Sequence, residues 1–130
     1  MKRLIRHVLI ISAAMAAMAG TAATPQELLA AYVQAAGQRA DAMAGQTFFN
    51  TKHGRDWSCA TCHTATPVTS GKHATTSKVI APLAPSSDLT RFVDAAKAEK
   101  WFRRNCNDVV GRECTASEKA NVLAWLISLK

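Results

Sequence analysis

Residues 57–65 read Trp57-Ser58-Cys59-Ala60-Thr61-Cys62-His63-Thr64-Ala65. Two thiols separated by two residues, with an imidazole directly after the second, form a specific set. That spacing lets both thiols reach one porphyrin edge and add across its two vinyl groups, while the adjacent His63 comes to lie under the iron. Two other chemistries use paired thiols. A thioredoxin-like redox pair follows a strand and opens a helix, whereas here a helical pattern precedes the pair and a Pro- and Thr-rich stretch follows it. A zinc site wants a second ligand pair at short spacing, but Cys106 and Cys114 have seven residues between them and no histidine near. The motif therefore reads as the attachment site of one covalent haem c, with Cys59 and Cys62 as thioether positions and His63 as proximal iron ligand.

Upstream, the first residues read as a targeting signal rather than as structure. Lys2, Arg3 and Arg6 precede an apolar run, Val8 to Ala19, that is short for a membrane span and ends in small residues around Ala19-Gly20-Thr21-Ala22-Ala23. This is the order of a secretory signal peptide cleaved after Ala22 or Ala23, which places residues 1–23 in the signal and 24–130 in one exported, periplasmic domain. An uncleaved anchor is the alternative; no second apolar stretch is long enough to span a membrane. Losing Lys2, Arg3 and Arg6 leaves thirteen of the sixteen Lys and Arg against all nine acids. The mature chain is mildly basic, with no clustered basic arm interleaved with aromatics, so nucleic-acid binding is not indicated. So small a domain gains much from a cofactor in its core.

The pattern of the mature chain is all-α, with four to five helices wrapped around the haem. Thr24-Pro25-Gln26-Glu27 is a capping box with proline at the first helical position, and Leu28, Leu29, Tyr32 and Val33 share a face until Gly37. A second helix is expected from Asp41 to Thr51. There Met43, Thr47 and Phe48 lie at helical spacing, Met43 reads as core, and Gly45 allows another backbone to approach. Thr64 to Ser87, with Pro67, Gly71, Pro82 and Pro85, reads as an ordered loop wrapping the haem edge. Helix is expected again from Leu89 to Asn105, with a possible restart at Asp94. Thr115-Ala116-Ser117-Glu118 caps the last helix, which carries Val122, Leu123, Trp125, Leu126 and Leu129. In an exported chain oxidation of Cys106 and Cys114 is the default. A disulfide across their short loop is sterically reasonable and worth roughly 2–3 kcal/mol, with two free structural thiols as the alternative.

The sixth iron ligand is not set by the residues alone. Electron-shuttling cytochromes c commonly use a methionine after the haem motif, and here none follows it. His53 stands too close before the motif. His73, in the loop, is a candidate of lower rank, and the segment from Trp101 to Asn107 is the region from which a distal ligand would come. Lys72, Lys78, Arg103 and Arg104 are candidates to pair with the haem propionates, with simple solvation as the alternative for each.

Several segments carry a resemblance. Arg91-Phe92, Glu99-Lys100-Trp101, Arg104-Asn105-Cys106-Asn107, Gly111-Arg112-Glu113-Cys114, Glu118-Lys119-Ala120 and Leu123-Ala124-Trp125-Leu126 resemble the sphaeroides haem protein family of oxygen-binding cytochromes c. Ala35-Ala36-Gly37 and Ile80-Ala81-Pro82-Leu83-Ala84-Pro85 match as well, so the likeness spans nearly all of the mature chain. It implies that Asn105 coordinates the ferric iron and leaves on reduction, that Cys106 and Cys114 form the disulfide, and that Trp101 lies at the haem. Thr64 and His73 depart from the family pattern. A metal-bound histidine gives its second ring nitrogen to a carbonyl or carboxylate; by resemblance to small cytochromes c that carbonyl is assigned to Pro82, whose other reading is a stiff turn.

Function follows from the resemblance. It implies a monomeric periplasmic protein that transfers single electrons, partnered by a dihaem cytochrome c and a membrane cytochrome b, and that binds O2, NO or CO at ferrous iron. A plain electron carrier without gas binding is the alternative, and a haem-based sensor a third. Nothing in the sequence marks a catalytic base or a substrate pocket beyond the haem, so turnover of the gas stays open and a binding and electron-transfer role is favoured over an enzyme.

Overall fold

The structure, a computed structural model, describes residues 23–54 and 56–130. The apolar N-terminal run and the cleavage position after Ala22 lie outside the described residues. Five helices account for nearly all of the regular structure: α1 (Pro25–Ala36), α2 (Ala42–Asn50), α3 (Cys59–His63), α4 (Ala95–Val109) and α5 (Ala116–Ser128). The expected all-α class is what the chain adopts. Within the long loop, β1 (Gly71–Lys72) and β2 (Val79–Ile80) make a minimal antiparallel ladder, pairing Gly71 with Ile80 and Lys72 with Val79.

The helix ends follow local chemistry. Thr24 Oγ1 accepts from the Glu27 amide at 3.1 Å while Glu27 accepts from the Thr24 amide at 2.7 Å, and α1 stops at Gly37, whose φ of 66° is left-handed. Thr115 and Glu118 repeat the reciprocal cap on α5, where Glu118 also takes both Arg112 terminal nitrogens at 2.8 and 2.7 Å. Helix α4 begins later than its sequence suggests. Asp88 accepts from the amide and hydroxyl of Thr90, which closes a turn in place of a helical start, and Asp94 then caps α4 through the Lys97 amide at 2.9 Å. At the other end α4 runs past Asn105 to Val109, so Asn105 lies within the helix and not at its end.

Packing centres on α5. Leu123 and Leu126 are fully buried on its two inner faces. Leu123 and Ala120 pack with Leu28 and Tyr32 of α1 and Ala98 of α4, and Val122, Trp125 and Leu126 pack with Phe49 of α2. Phe92 and Phe102 touch both groups and join them. Met43 is a correction to the expected core: it is 76% exposed, and α2 turns Gly45 and Phe49 inward instead. Gly45 lies against the α5 backbone so closely that a Cβ would run into the Asn121 carbonyl.

Glycine inside a helix ordinarily costs up to about 1 kcal/mol relative to alanine, so Gly45→Ala would stabilise a helix that stood alone. Here the methyl must displace backbone, and overpacking of that kind costs about 1–3 kcal/mol. Chemical unfolding of Gly45→Ala should show a net loss of stability; a gain would mean that α2 and α5 do not approach as described.

Candidate haem site

Helix α3 consists of the motif itself. Ser58, buried, begins the turn by donating its amide to Thr61 Oγ1 at 3.0 Å, and one helical turn then separates Cys59 from Cys62. Both thiols are free and half-buried. Burial pushes the Cys59 thiol up to about 11, so it stays protonated at neutral pH.

His63 closes the turn beside Phe49, with ring centroids 6.2 Å apart, and Phe49 in turn meets Trp125 with tilted rings 4.9 Å apart. Burial, and after it the Arg91 charge, lowers the imidazole to about 4. A neutral imidazole keeps the lone pair that a metal needs, so the environment prepares His63 as a ligand. From below, the hairpin presses on the motif: a Cβ on Gly71 would meet the Cys62 carbonyl, and the Ala74 amide donates to Cys62 Sγ at 3.4 Å.

The Pro82 carbonyl accepts Arg91 Nε at 2.8 Å, and Arg91 Nη2 reaches the Ala81 carbonyl at 2.9 Å while Asp88 balances the charge at 3.1 Å. Arg91 therefore holds the Ala81–Pro82 segment near His63. Sequence reasoning did not find this role, because the partners are backbone carbonyls, which carry no residue signature. The Pro82 carbonyl, assigned from the sequence to the His63 ring, is engaged by Arg91, with no hydrogen bond to His63 among the described residues.

Asn105 lies on the inward face of α4 with Ala98, Phe102 and Val109 at helical spacing, and it is half-buried. Its neighbour Phe102 packs against the same apolar cluster of Phe49, Val122, Trp125 and Leu126 on which Cys59, Ala60 and Leu83 also rest. Asn107 folds its amide back to the Arg103 carbonyl at 2.8 Å, whereas no hydrogen bond to a described residue ties down the Asn105 carboxamide. One residue later, Cys106 is joined to Cys114, with Cα atoms 5.7 Å apart. Trp101 stands half-exposed with the Arg104 guanidinium over its ring, and Arg103 and Arg104 pair with Glu113 and Asp108 at the surface. Lys72 and Lys78 are exposed on the hairpin.

The other histidines are engaged locally. His53 Nε2 lies 2.9 Å from the Phe48 carbonyl with its ring against Phe48. His73 Nδ1 accepts from the amides of Thr75 and Thr76 at 3.3 and 3.2 Å, which stations the ring in its own turn beside Cys62. Taken together, the donor set of two free thiols one turn apart, a neutral imidazole and an untethered carboxamide fits a covalently attached iron porphyrin.

Comparison with known proteins decides the family. Residues 35–126 match a domain of unknown function, DUF1924. The chain is 50% identical over 124 residues to the cytochrome c-type protein SHP of Cereibacter sphaeroides, an alignment covering 91% of this chain and 95% of that one. This chain belongs to the SHP family of c-type cytochromes. Its cofactor is covalently bound haem c. The structure of oxidised SHP, described as an oxygen-binding cytochrome c, superposes with a TM-score of 0.75 at 47% identity, covering 80% of this chain and 96% of that chain. Oxidised cytochrome c'' of Methylophilus methylotrophus superposes at 0.76 and 36% identity, covering 82% and 94%. Among the described residues, no helix of this SHP-family chain is long and apolar enough to cross a membrane.

One residue of the site pays a backbone cost. Thr64, directly after His63, has φ 69° and ψ 157°, a region that essentially only glycine adopts without strain. Thr64→Gly should therefore raise the unfolding free energy by about 1 kcal/mol. A thermal melt of the haem-loaded variant at or below wild type would count against strain at this turn.

Proposed function

We propose that the chain is an exported, periplasmic monohaem cytochrome that passes single electrons and opens its distal position to a diatomic gas when reduced. Haem c supplies the one-electron couple and, when its distal position is free, the coordination site for the gas. Cys59 and Cys62 fix the porphyrin through thioethers, and His63 is the proximal ligand, oriented by packing on Phe49. Asn105 is the distal ligand of the ferric state. The observation that carries this reading is the untethered carboxamide on the inward face of α4, in a chain with no methionine after the motif.

An amide is a weak ligand, held best by the more highly charged ferric iron. Reduction lowers that charge, and no thioether stands ready to replace the amide, so Asn105 leaves. The SHP relative's description as oxygen-binding supports the same behaviour here. A dihaem cytochrome c and a membrane cytochrome b are the proposed redox partners. Cleavage after Ala22 or Ala23 accounts for export, and in that oxidising compartment the Cys106–Cys114 pair is a disulfide that non-reducing peptide mapping should recover.

Haem should survive acid-acetone extraction, adding one haem to the mass of the mature chain; its complete removal would rule out thioether attachment. The oxidised protein should be low-spin, and the reduced protein five-coordinate, high-spin and quick to bind carbon monoxide. Asn105→Ala should make the ferric form high-spin or water-ligated with haem still attached, while His73→Ala leaves both spectra unchanged. A reduced wild-type protein that stays low-spin and ignores carbon monoxide would leave the plain electron carrier as the function.

A further inference from the structure

Beside His63 one cation is fixed in place by three partners. Arg91 Nε donates to the Pro82 carbonyl at 2.8 Å and Nη2 to the Ala81 carbonyl at 2.9 Å, while Asp88 Oδ2 lies 3.1 Å from Nε. The arginine side chain is only 26% exposed. Its carboxylate partner is held as firmly, because Asp88 Oδ1 accepts the Thr90 amide at 3.0 Å and the Thr90 hydroxyl at 2.6 Å. Those two bonds, with Arg91 as a smaller cause, keep the Asp88 carboxyl below its usual range, so the ion pair is intact at neutral pH. The next residue, Phe92, has a φ of 59° and packs with Phe102, which anchors the backbone from which Arg91 reaches.

Two loop carbonyls could be held by any pair of donors. A guanidinium adds a charge that stays on at every physiological pH. The field of that charge reaches the imidazole, whose basicity is lowered first by burial and then by Arg91. In a poorly solvated interior such a field acts over several ångströms with little screening. It opposes further positive charge at the same place, and ferric iron carries one unit more than ferrous iron. The Asp88 carboxylate acts with the opposite sign.

We propose that Arg91 raises the reduction potential of the haem as a fixed cation beside the proximal ligand, and that Asp88 moderates it. This rests on His63 being that ligand. A higher potential favours the ferrous protein, the state in which the proposed gas site is open. Neither residue touches the iron; both act on it through the field at His63.

The two residues predict opposite signs. Arg91→Gln removes the charge and keeps a donor for the carbonyls, so the ferrous-to-ferric ratio at a fixed electrode potential should fall by about tenfold at most, a drop of about 59 mV for one electron. Partial exposure and the Asp88 pair both reduce the effect. Arg91→Lys keeps the charge but lacks the fork that spans two carbonyls, so its potential should lie nearer to wild type than to Arg91→Gln. Asp88→Asn keeps an oxygen for Thr90 and removes the opposing charge, so its potential should rise. A residue that merely held the loop would leave Asp88→Asn unmoved and make lysine no better than glutamine. An Arg91→Lys potential as low as that of Arg91→Gln, or an Asp88→Asn potential at or below wild type, would overturn the proposal. Should Arg91→Gln fail to fold around its haem, Asp88→Asn decides by the same rule of sign. Hyperfine-shifted ring protons of His63 in the NMR spectrum of the oxidised wild-type protein test the ligand separately. Without them the ligand reading falls and the Arg91 role with it; with them, and with potentials unmoved in both charge-removing variants, the ligand stands and the Arg91 role is wrong.

Discussion

The near-contact of two backbones, α2 at Gly45 and α5 at Asn121, governs where everything else can stand. Because no Cβ intervenes there, Phe49 one turn later is driven fully into the seam and packs its tilted ring against Trp125. His63 packs on the outer face of Phe49. The proximal side of the haem site is therefore referenced to α5, the best-buried helix, through two aromatic contacts and not through the loop that follows. The hairpin adds a second backbone approach, at Gly71 against Cys62. Two glycines thus sit at close backbone approaches, Gly45 against α5 and Gly71 against the motif, and each would be a poor choice on propensity alone.

Strain collects at the same place. Thr64 and Phe92 both have positive φ, and neither is glycine. Thr64 turns the chain away from His63. Phe92 follows Arg91, whose guanidinium must reach two carbonyls and the Asp88 carboxylate at once. Conformations of this kind persist only where the surroundings over-determine them. Here the determinants are visible: the hairpin backbone at Gly71 lies against Cys62 and His63, directly before Thr64, and Phe92 packs with Phe102 and both apolar groups.

What could be read in the sequence was the chemistry that is local. The two capping boxes, Gly37, the attachment motif and the apolar face of α5 each depend on residues within a turn or two, and each is found where its residues predict. The role of Gly45 was legible for the same reason. Met43 was not, because a nine-residue helix leaves its apolar face ambiguous and the true inward position at 45 is a glycine, which contributes nothing to hydropathy. The start of α4 was ambiguous between two aspartates, and a tertiary demand, Arg91 reaching back to Ala81 and Pro82, settled it in favour of Asp94. Asn105 needed the family likeness, since an asparagine near an expected helix end reads as a cap. Its distinguishing property is that α4 continues past it and turns it inward.

That position bears on why an amide serves here at all. Asn105 is half-buried, and its carboxamide atoms remain open to water, so the amide can be solvated when it is not a ligand. A thioether would not behave in this way, being as content in an apolar setting as at the iron. In the proposed function Asn105 can therefore exchange the iron for water when the iron loses charge, as a methionine in the same place would not.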